Sequence, residues 1–252
     1  MTIDNRKSNY IYGIHSVKSF LNSSPKTIKK IYIKKTDNKN LRNIIRIALD
    51  NKLRVIESTN TYLSTISMTN KHQGVVCEIM TSDHTNFKID SYIQYMENPF
   101  IVILDNIQDP RNLGSCIRTA NAAGVSLIIK KKSNSSGLSP VVHKSASGGL
   151  QGIHFLETNN IATIIKKLKN NNIRIIGTDH KSKKNIYKLK KTNNNGVAVI
   201  LGSEGDGISK SLLDMCDEIL SIPIYGSVEC LNVSVAAGII LFEVASKLKK
   251  TK

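Results

Sequence analysis

Four short apolar runs pace the second half of the chain: Phe100–Leu104, Ser126–Ile129, Ile173–Ile176 and Val197–Leu201. Each is nearly free of polar residues, as a strand must be when both faces of its sheet are covered. Helical spacing lies between them at Leu113–Ala123 and Ile161–Leu168. Strands and helices in alternation predict an α/β domain with a parallel sheet. The first half repeats the pattern more weakly. Ile28–Ile33, Leu53–Ile56 and Val75–Met80 read as strands, and Leu41–Leu49 as a helix with Leu41, Ile44, Ile45 and Ala48 on one face. Thr59–Met68 reads as a short helix, and Val17, Phe20 and Leu21 share a helical face after Gly13. Between the halves, Thr81–Pro99 is polar with a weak helix through Ile93 and Met96. The expected organisation is a small α/β domain at 9–80, a linker at 81–98 and a larger α/β domain at 99–252, after a disordered start at 1–8.

The last long stretch, Ile222 to Phe242, has its own logic. Gly226 and Ser227 loosen the backbone before Leu231-Asn232 leads into an apolar run. An Asn side-chain oxygen can accept from amides two or three residues on, so Asn232 is expected to cap a helix reaching about Lys249. Small residues at Ser234, Ala236, Ala237 and Gly238 would let a second backbone come close.

Charge changes the picture more than composition does. The chain of 252 residues carries +17 at pH 7, and both halves share the excess. A polyanion is the natural partner, because phosphates neutralised by Lys or Arg release condensed counterions. The competing reading is compositional drift, since Lys, Asn and Ile are all abundant. No apolar run is long enough to cross a membrane and the start lacks a signal-peptide core, so a cytoplasmic protein with no membrane partner is expected. Cys77, Cys116, Cys216 and Cys230 form no C-x-x-C pair, which argues for reduced thiols and against zinc. The six histidines show no ligand spacing, so no metal is expected.

Candidate chemistry gathers after the strands. Asp105 to Gly114 (D-N-I-Q-D-P-R-N-L-G) follows the first strand of the larger domain, and open α/β sheets hold ligands at the carboxyl ends of strands. Asn112 reads equally as a helix cap, and Arg118, one and a half turns on, as a surface ion-pair partner. Gly202-Ser203-Glu204-Gly205-Asp206-Gly207 follows Val197–Leu201; its glycine order is no dinucleotide fingerprint, and no phosphate-loop motif occurs. Glu204 there reads equally as a turn residue.

Together, N-L-G-x-x-x-R-T-A (112–120), L-G-S-E-G-D-G (201–207) and I-P-I-x-G-S-V-x-x-L-N-V-S-V-A (222–236) resemble the three motifs of the SpoU (TrmH-like) family of RNA 2′-O-ribose methyltransferases. The resemblance spans 99–252. Y-G-I-H-x-V (12–17) and the domain after it are similar to the subgroup that methylates a guanosine of 23S rRNA and carries an L30e-like RNA-binding domain. The resemblance implies a sheet whose C-terminal segment is threaded into a deep trefoil knot, S-adenosylmethionine (AdoMet) as methyl donor, and a homodimer. It places Gly202, Ile222 and Leu231 against AdoMet and Asn112, Arg118, Glu204 and Asn232 in the catalytic site. Cys230 departs from the Ser usual at that position, and a thiol is a poor hydrogen-bond donor. Three functions stay open: methylation of 23S rRNA, methylation of tRNA by the same fold, and an inactive RNA-binding assembly factor.

Overall fold

Strands β5 (Phe100–Leu104) and β9 (Val197–Leu201) form the middle of the larger domain. The computed structural model describes residues 9–23, 25–35, 38–79, 88–133, 135–150, 152–191 and 194–248. The expected disordered start at 1–8, Met80 at the end of an expected strand, the first part of the expected linker (81–87) and Lys249 lie outside the described residues. β6 (Leu127–Lys131), β7 (His154–Thr158), β8 (Arg174–Thr178) and β10 (Glu218–Leu220) complete a six-stranded sheet. Its order is β10-β8-β9-β5-β6-β7, and every pairing is parallel.

The unbroken apolar runs follow from burial on both faces. In β5, Phe100, Val102 and Leu104 join a core under helices α5 (Pro110–Ala123) and α9 (Val233–Leu248). Ile101 and Ile103 enter a second core under α4 (Ile89–Tyr95) and α7 (Ile161–Asn170). Two strands escape the pattern. β7 and β10 are the edges of the sheet. β7 (H-F-L-E-T) buries only Phe155 fully, and β10 has three residues, so neither leaves an apolar run. The short helices α6 (Pro140–Ala146) and α8 (Lys210–Leu213) are likewise too brief to show a period.

The Lys-rich stretch 181–191 is held against the larger domain. A 3-10 turn at Ile186–Lys188 buries Ile186 completely and Leu189 nearly so. The backbone exchanges Ile186 N–H to Ser221 O (2.9 Å) and Ser221 N–H to Lys184 O (2.8 Å). Two apolar anchors among lysines thus pin the segment beside β10.

The smaller domain is a four-stranded mixed sheet of β1 (Asn9–Tyr12), β2 (Ile28–Ile33), β3 (Arg54–Glu57) and β4 (Val75–Ile79), in the order β1-β4-β2-β3. Helices α1 (Ile14–Ser23) and α2 (Lys39–Asp50) cover one face, and α3 (Asn60–Ser67) packs Leu63 against Tyr12, Tyr32 and Val76 on the other. Of the lysines flanking β2, Lys29 and Lys30 each place Nζ 3.9 Å from the Glu78 carboxylate, whereas Lys34 and Lys35 are exposed. The domains meet where α6 packs on β1. Phe20 stands edge-on to His143 with ring centres 6.5 Å apart, and Lys144 Nζ lies 5.2 Å over the Tyr12 ring.

Candidate active site

Three loops at the carboxyl ends of β5 and β9 and before α9 converge, and each is fixed by local chemistry. At the end of β9 the chain folds back tightly: Ser203 and Gly207 exchange N–H···O bonds of 3.0 and 3.2 Å, and Gly207 has φ +67°. A Cβ on Gly202 would lie 2.1 Å from the Gly207 carbonyl carbon, a separation no side chain survives. The glycine is therefore demanded by the loop closing on itself, and the same closure turns Glu204 outward. Asp105, buried at the end of β5, accepts from Ser209 N–H at 2.9 Å and ties the two loops together.

Helix α5 is capped by Asp109, whose carboxylate accepts from Arg111 N–H at 2.6 Å, with Pro110 in the first turn. Asn112 is thus inside the helix rather than its cap, and its side chain is available elsewhere. Asn232 does cap α9: its Oδ1 accepts from Ser234 N–H (2.9 Å) and Ser234 Oγ–H (2.6 Å). That double acceptance orients the amide so that Nδ2 points away from the helix. The Asn232 Nδ2 donates to Glu204 Oε1 at 2.5 Å and to Asn112 Oδ1 at 3.3 Å, while Asn112 Nδ2 donates to the same Glu204 oxygen at 2.6 Å. Residues 112, 204 and 232 therefore form one bonded group, and the side chain that caps α9 is part of it. Glu204 Oε2 accepts no hydrogen bond among the described residues.

Arg118 stands apart from that group. Six residues beyond Asn112, it lies about 9 Å further along the helix axis and about 120° around it. Its side chain is exposed and makes no ion pair among the described residues, so it is not the surface ion-pair partner that its position allowed. Glu204 holds the two asparagines and makes no ion pair with Arg118 among the described residues. The backbone of Arg118 is held closely: a Cβ on Gly149 would meet Arg118 Cα at 2.8 Å, and one on Gly114 would meet Ser145 Cβ at 2.4 Å. Residues 140–149 are therefore pressed against α5 along the turns that carry Asn112 and Arg118.

Beside the bonded group is a cavity of about 270 Å³, close to the lower end of the range for small-molecule pockets. Gly202, Ile222 and Leu231 all line it, with Glu204 and Cys230. Its wall also includes Thr178 and Asp179 at the end of β8, which motif reading missed. The signal was present in I-I-G-T-D-H, where an apolar strand turns polar at its carboxyl end. Below the site, burial and then the charge of Glu204 push the Cys116 thiol up to about 12, so it stays protonated. Among the described residues no group of His, Cys, Asp and Glu is placed to hold a metal ion, and no helix is long and apolar enough to cross a membrane.

Comparison with known proteins agrees with this geometry. The SpoU rRNA Methylase family matches residues 99–242, and a family described as RNA 2′-O ribose methyltransferase substrate binding matches residues 10–84. The chain is 34% identical over 245 residues to the 23S rRNA (guanosine-2′-O-)-methyltransferase RlmB of Pasteurella multocida, covering 94% of this chain and 97% of that one. It is 37% identical over 235 residues to the protein of the same name from Neisseria meningitidis, covering 92% and 93%. In fold it is similar to the SpoU methyltransferase AviRb of Streptomyces viridochromogenes in complex with AdoMet, with a TM-score of 0.75 at 21% identity over 97% and 94% of the two chains. The chain belongs to the SpoU rRNA methylase family.

Proposed function

We propose that the protein transfers the methyl group of AdoMet to the ribose 2′-hydroxyl of a guanosine in 23S rRNA, in the cytoplasm. One observation carries the reading: Asn112, Glu204 and Asn232 are bonded together at the edge of a cavity lined by Gly202, Ile222 and Leu231, in a chain similar along most of its length to enzymes of that name. The residues fit AdoMet. Leu201, Ile222 and Leu231 offer apolar surface for an adenine, and Asp179 offers an acceptor for its polar groups. Bound there, AdoMet supplies an electrophilic methyl group. Holding a hydroxyl in line with it can contribute roughly 7–11 kcal/mol.

The chain's own part is to fix and deprotonate that hydroxyl. Glu204 has one oxygen held by two amides and the other open, so Oε2 takes the proton while the carboxylate keeps its place. Arg118 acts as a cation toward a phosphate or the developing alkoxide, since a guanidinium with pKa above about 12 is a poor base. Incubation with labelled AdoMet and unmodified 23S rRNA or tRNA, followed by mapping of the 2′-O-methyl, tests the reading. A guanosine of 23S rRNA is the expected position; label on tRNA alone, or on neither, overturns it.

The same proposal includes the organisation. Residues 9–80 bind RNA, 81–98 link, and 99–252 carry both substrates' reacting groups. The trefoil knot implied by the family resemblance lies in this reading between β10, at one edge of the sheet, and Asn232, which bonds Asn112. The protein works as a homodimer through the outer face of α9. Val235 (52% exposed), half-buried Ile239 and Phe242 (53%) fall on one side of that helix, with Val228 exposed before it. The small residues have a different task. Ala237 is fully buried and Gly238 faces Thr119, so they seat α9 on α5.

A further inference from the structure

A second cleft opens at the end of the smaller domain, about 620 Å³ in volume, between the starts of α2 and α3 and the loop before β4. Among the described residues its lining contains one lysine, Lys34, four carboxamides and two hydroxyls, and no carboxylate. The side chains of Lys34, Asn60 and Asn70 are exposed there and make no hydrogen bond or ion pair among the described residues. Gln73 is anchored, its Oε1 accepting from Ile14 N–H at 2.9 Å.

The wall of the cleft has a defined polarity. Gly74 N–H, which can only donate, points at His72 Nδ1 at 3.1 Å, so that nitrogen is unprotonated. The proton of the neutral ring is then on Nε2, which donates to Ser64 Oγ at 3.2 Å. Ser64 is left with its own hydroxyl proton to donate. The cleft thus presents a cation, a directed hydroxyl donor and amides able both to donate and to accept.

Its position is the second observation. Gln73 sits on Gly13, whose Cβ, if present, would lie 3.2 Å from Gln73 Oε1. The next residue back, Tyr12, lies under Lys144 and within the electrostatic reach of Arg111, the neighbour of Asn112. The cleft is therefore joined to the start of the catalytic helix by the short run Tyr12–Gly13, with basic residues at both ends.

We propose that this cleft binds an unpaired nucleotide of the RNA substrate, its base edge on the amides of Asn60 and Asn70 and its phosphate on Lys34. Amides match the donor and acceptor pattern of a base edge, and such edges are open to protein in unpaired RNA rather than in an A-form duplex. The proposal rests on the RNA-methylation reading above and adds the place where the smaller domain grips the RNA.

The test uses the full chain and an unmodified 23S rRNA transcript, with affinity measured across salt concentrations and AdoMet affinity measured in parallel. Asn60→Ala with Asn70→Ala weakens RNA binding about tenfold, or about 1.4 kcal/mol, without changing its salt slope. Lys34→Ala makes the slope of log K against log salt shallower by about 0.7–0.9, the signature of one lost phosphate contact. Both leave AdoMet affinity and the rate at saturating RNA unchanged and raise the RNA KM. Asn60→Asp guards against a folding artefact: a carboxylate in the first turn of α3 favours the helix, yet repels phosphate and still weakens RNA binding. Wild-type RNA affinity in the double variant and in Asn60→Asp overturns the proposal. If the wild type methylates 23S rRNA while these variants bind it normally, the cleft assignment fails alone. If the variants lose RNA affinity but the wild type methylates nothing, the cleft stands and the methylation reading falls.

Discussion

Asn112 and Asn60 are the same residue type in early turns of helices that open onto cavities, and their surroundings are opposite. Asn112 is committed: its amide donates to Glu204, its oxygen accepts from Asn232, and Asn232 is itself locked by Ser234. Asn60 has no hydrogen-bonded partner among the described residues, and neither has Asn70 across the cleft. A site that moves charge gains most when its dipoles are fixed beforehand, because no reorganisation is then needed during reaction. A site that only grips a nucleotide gains from side chains that bond after it arrives. The two ends of the protein therefore predict different consequences of mutation: steep losses of rate or fold at the bonded group, and modest losses of affinity at the cleft.

The largest effect is expected at Gly202. Gly202→Val places a branched side chain where the Gly207 carbonyl already lies 2.1 Å from any Cβ, so the loop must open. Overpacking of this kind costs about 1–3 kcal/mol or more, and calorimetry should find AdoMet binding lost together with a lower melting temperature. Retention of wild-type AdoMet affinity would show that the loop is not the wall of the cofactor site. Next comes Glu204→Gln, which keeps the shape but removes the proton acceptor. Single-turnover rates should fall by about 10²–10⁴ while AdoMet binding survives. A rate within a fewfold of wild type would assign the base elsewhere.

Arg118 sharpens the contrast because it is the one candidate outside the bonded group. Arg118→Ala should remove about 2.7–4 kcal/mol of transition-state stabilisation, the range for one lost oxyanion donor, and Arg118→Lys should keep part of the rate since the charge remains. If Arg118 were the base, the Lys variant would instead gain activity steeply at alkaline pH. Wild-type turnover in the Ala variant would remove Arg118 from the site.

These positions also show what the chain disclosed before folding and what it did not. β5 and β9 were readable to the residue because both faces are buried, so nothing interrupts the apolar run. β7 and β10 were not, since edge strands need burial on only part of their surface. Motif order brought Asn112, Glu204 and Asn232 to attention, but their mutual hydrogen bonds span 28, 92 and 120 residues of chain, beyond any local pattern. The need for Gly202 was legible only as flexibility; its actual cause is the approach of Gly207. Asn232 was legible as a helix cap, and the structure adds that the same amide bonds Glu204 and Asn112.

A smaller effect is expected at the outer face of α9. Phe242→Glu exposes nothing new in the monomer, because the ring is already half exposed. Light scattering should nonetheless show a shift from a dimer toward a monomer of 27.9 kDa at micromolar concentration. An unchanged dimer would place the interface elsewhere.

The smallest effect tests the cleft from within. Burial, and then the charge of Lys34, hold the His72 pKa below its ordinary value of 6.5. The folded domain therefore favours the neutral ring, the form whose Nδ1 accepts from Gly74 N–H. As pH falls below about 6.5, the unfolded chain takes up this proton before the folded one, and stability falls with it. Above that pH both states carry the neutral ring and this contribution is flat. Hydrogen exchange of the Gly74 amide, corrected for its intrinsic pH dependence, reads the effect locally. Protection should be constant above pH 7 and decline on acidification, whereas His72→Gln, which keeps an acceptor but cannot titrate, should flatten the decline. Lys34→Ala should make the decline smaller, because without the lysine's charge the folded-state pKa lies closer to the unfolded one. A decline as large in Lys34→Ala as in the wild type would mean that Lys34 does not act on the ring, and would remove the cation from the cleft.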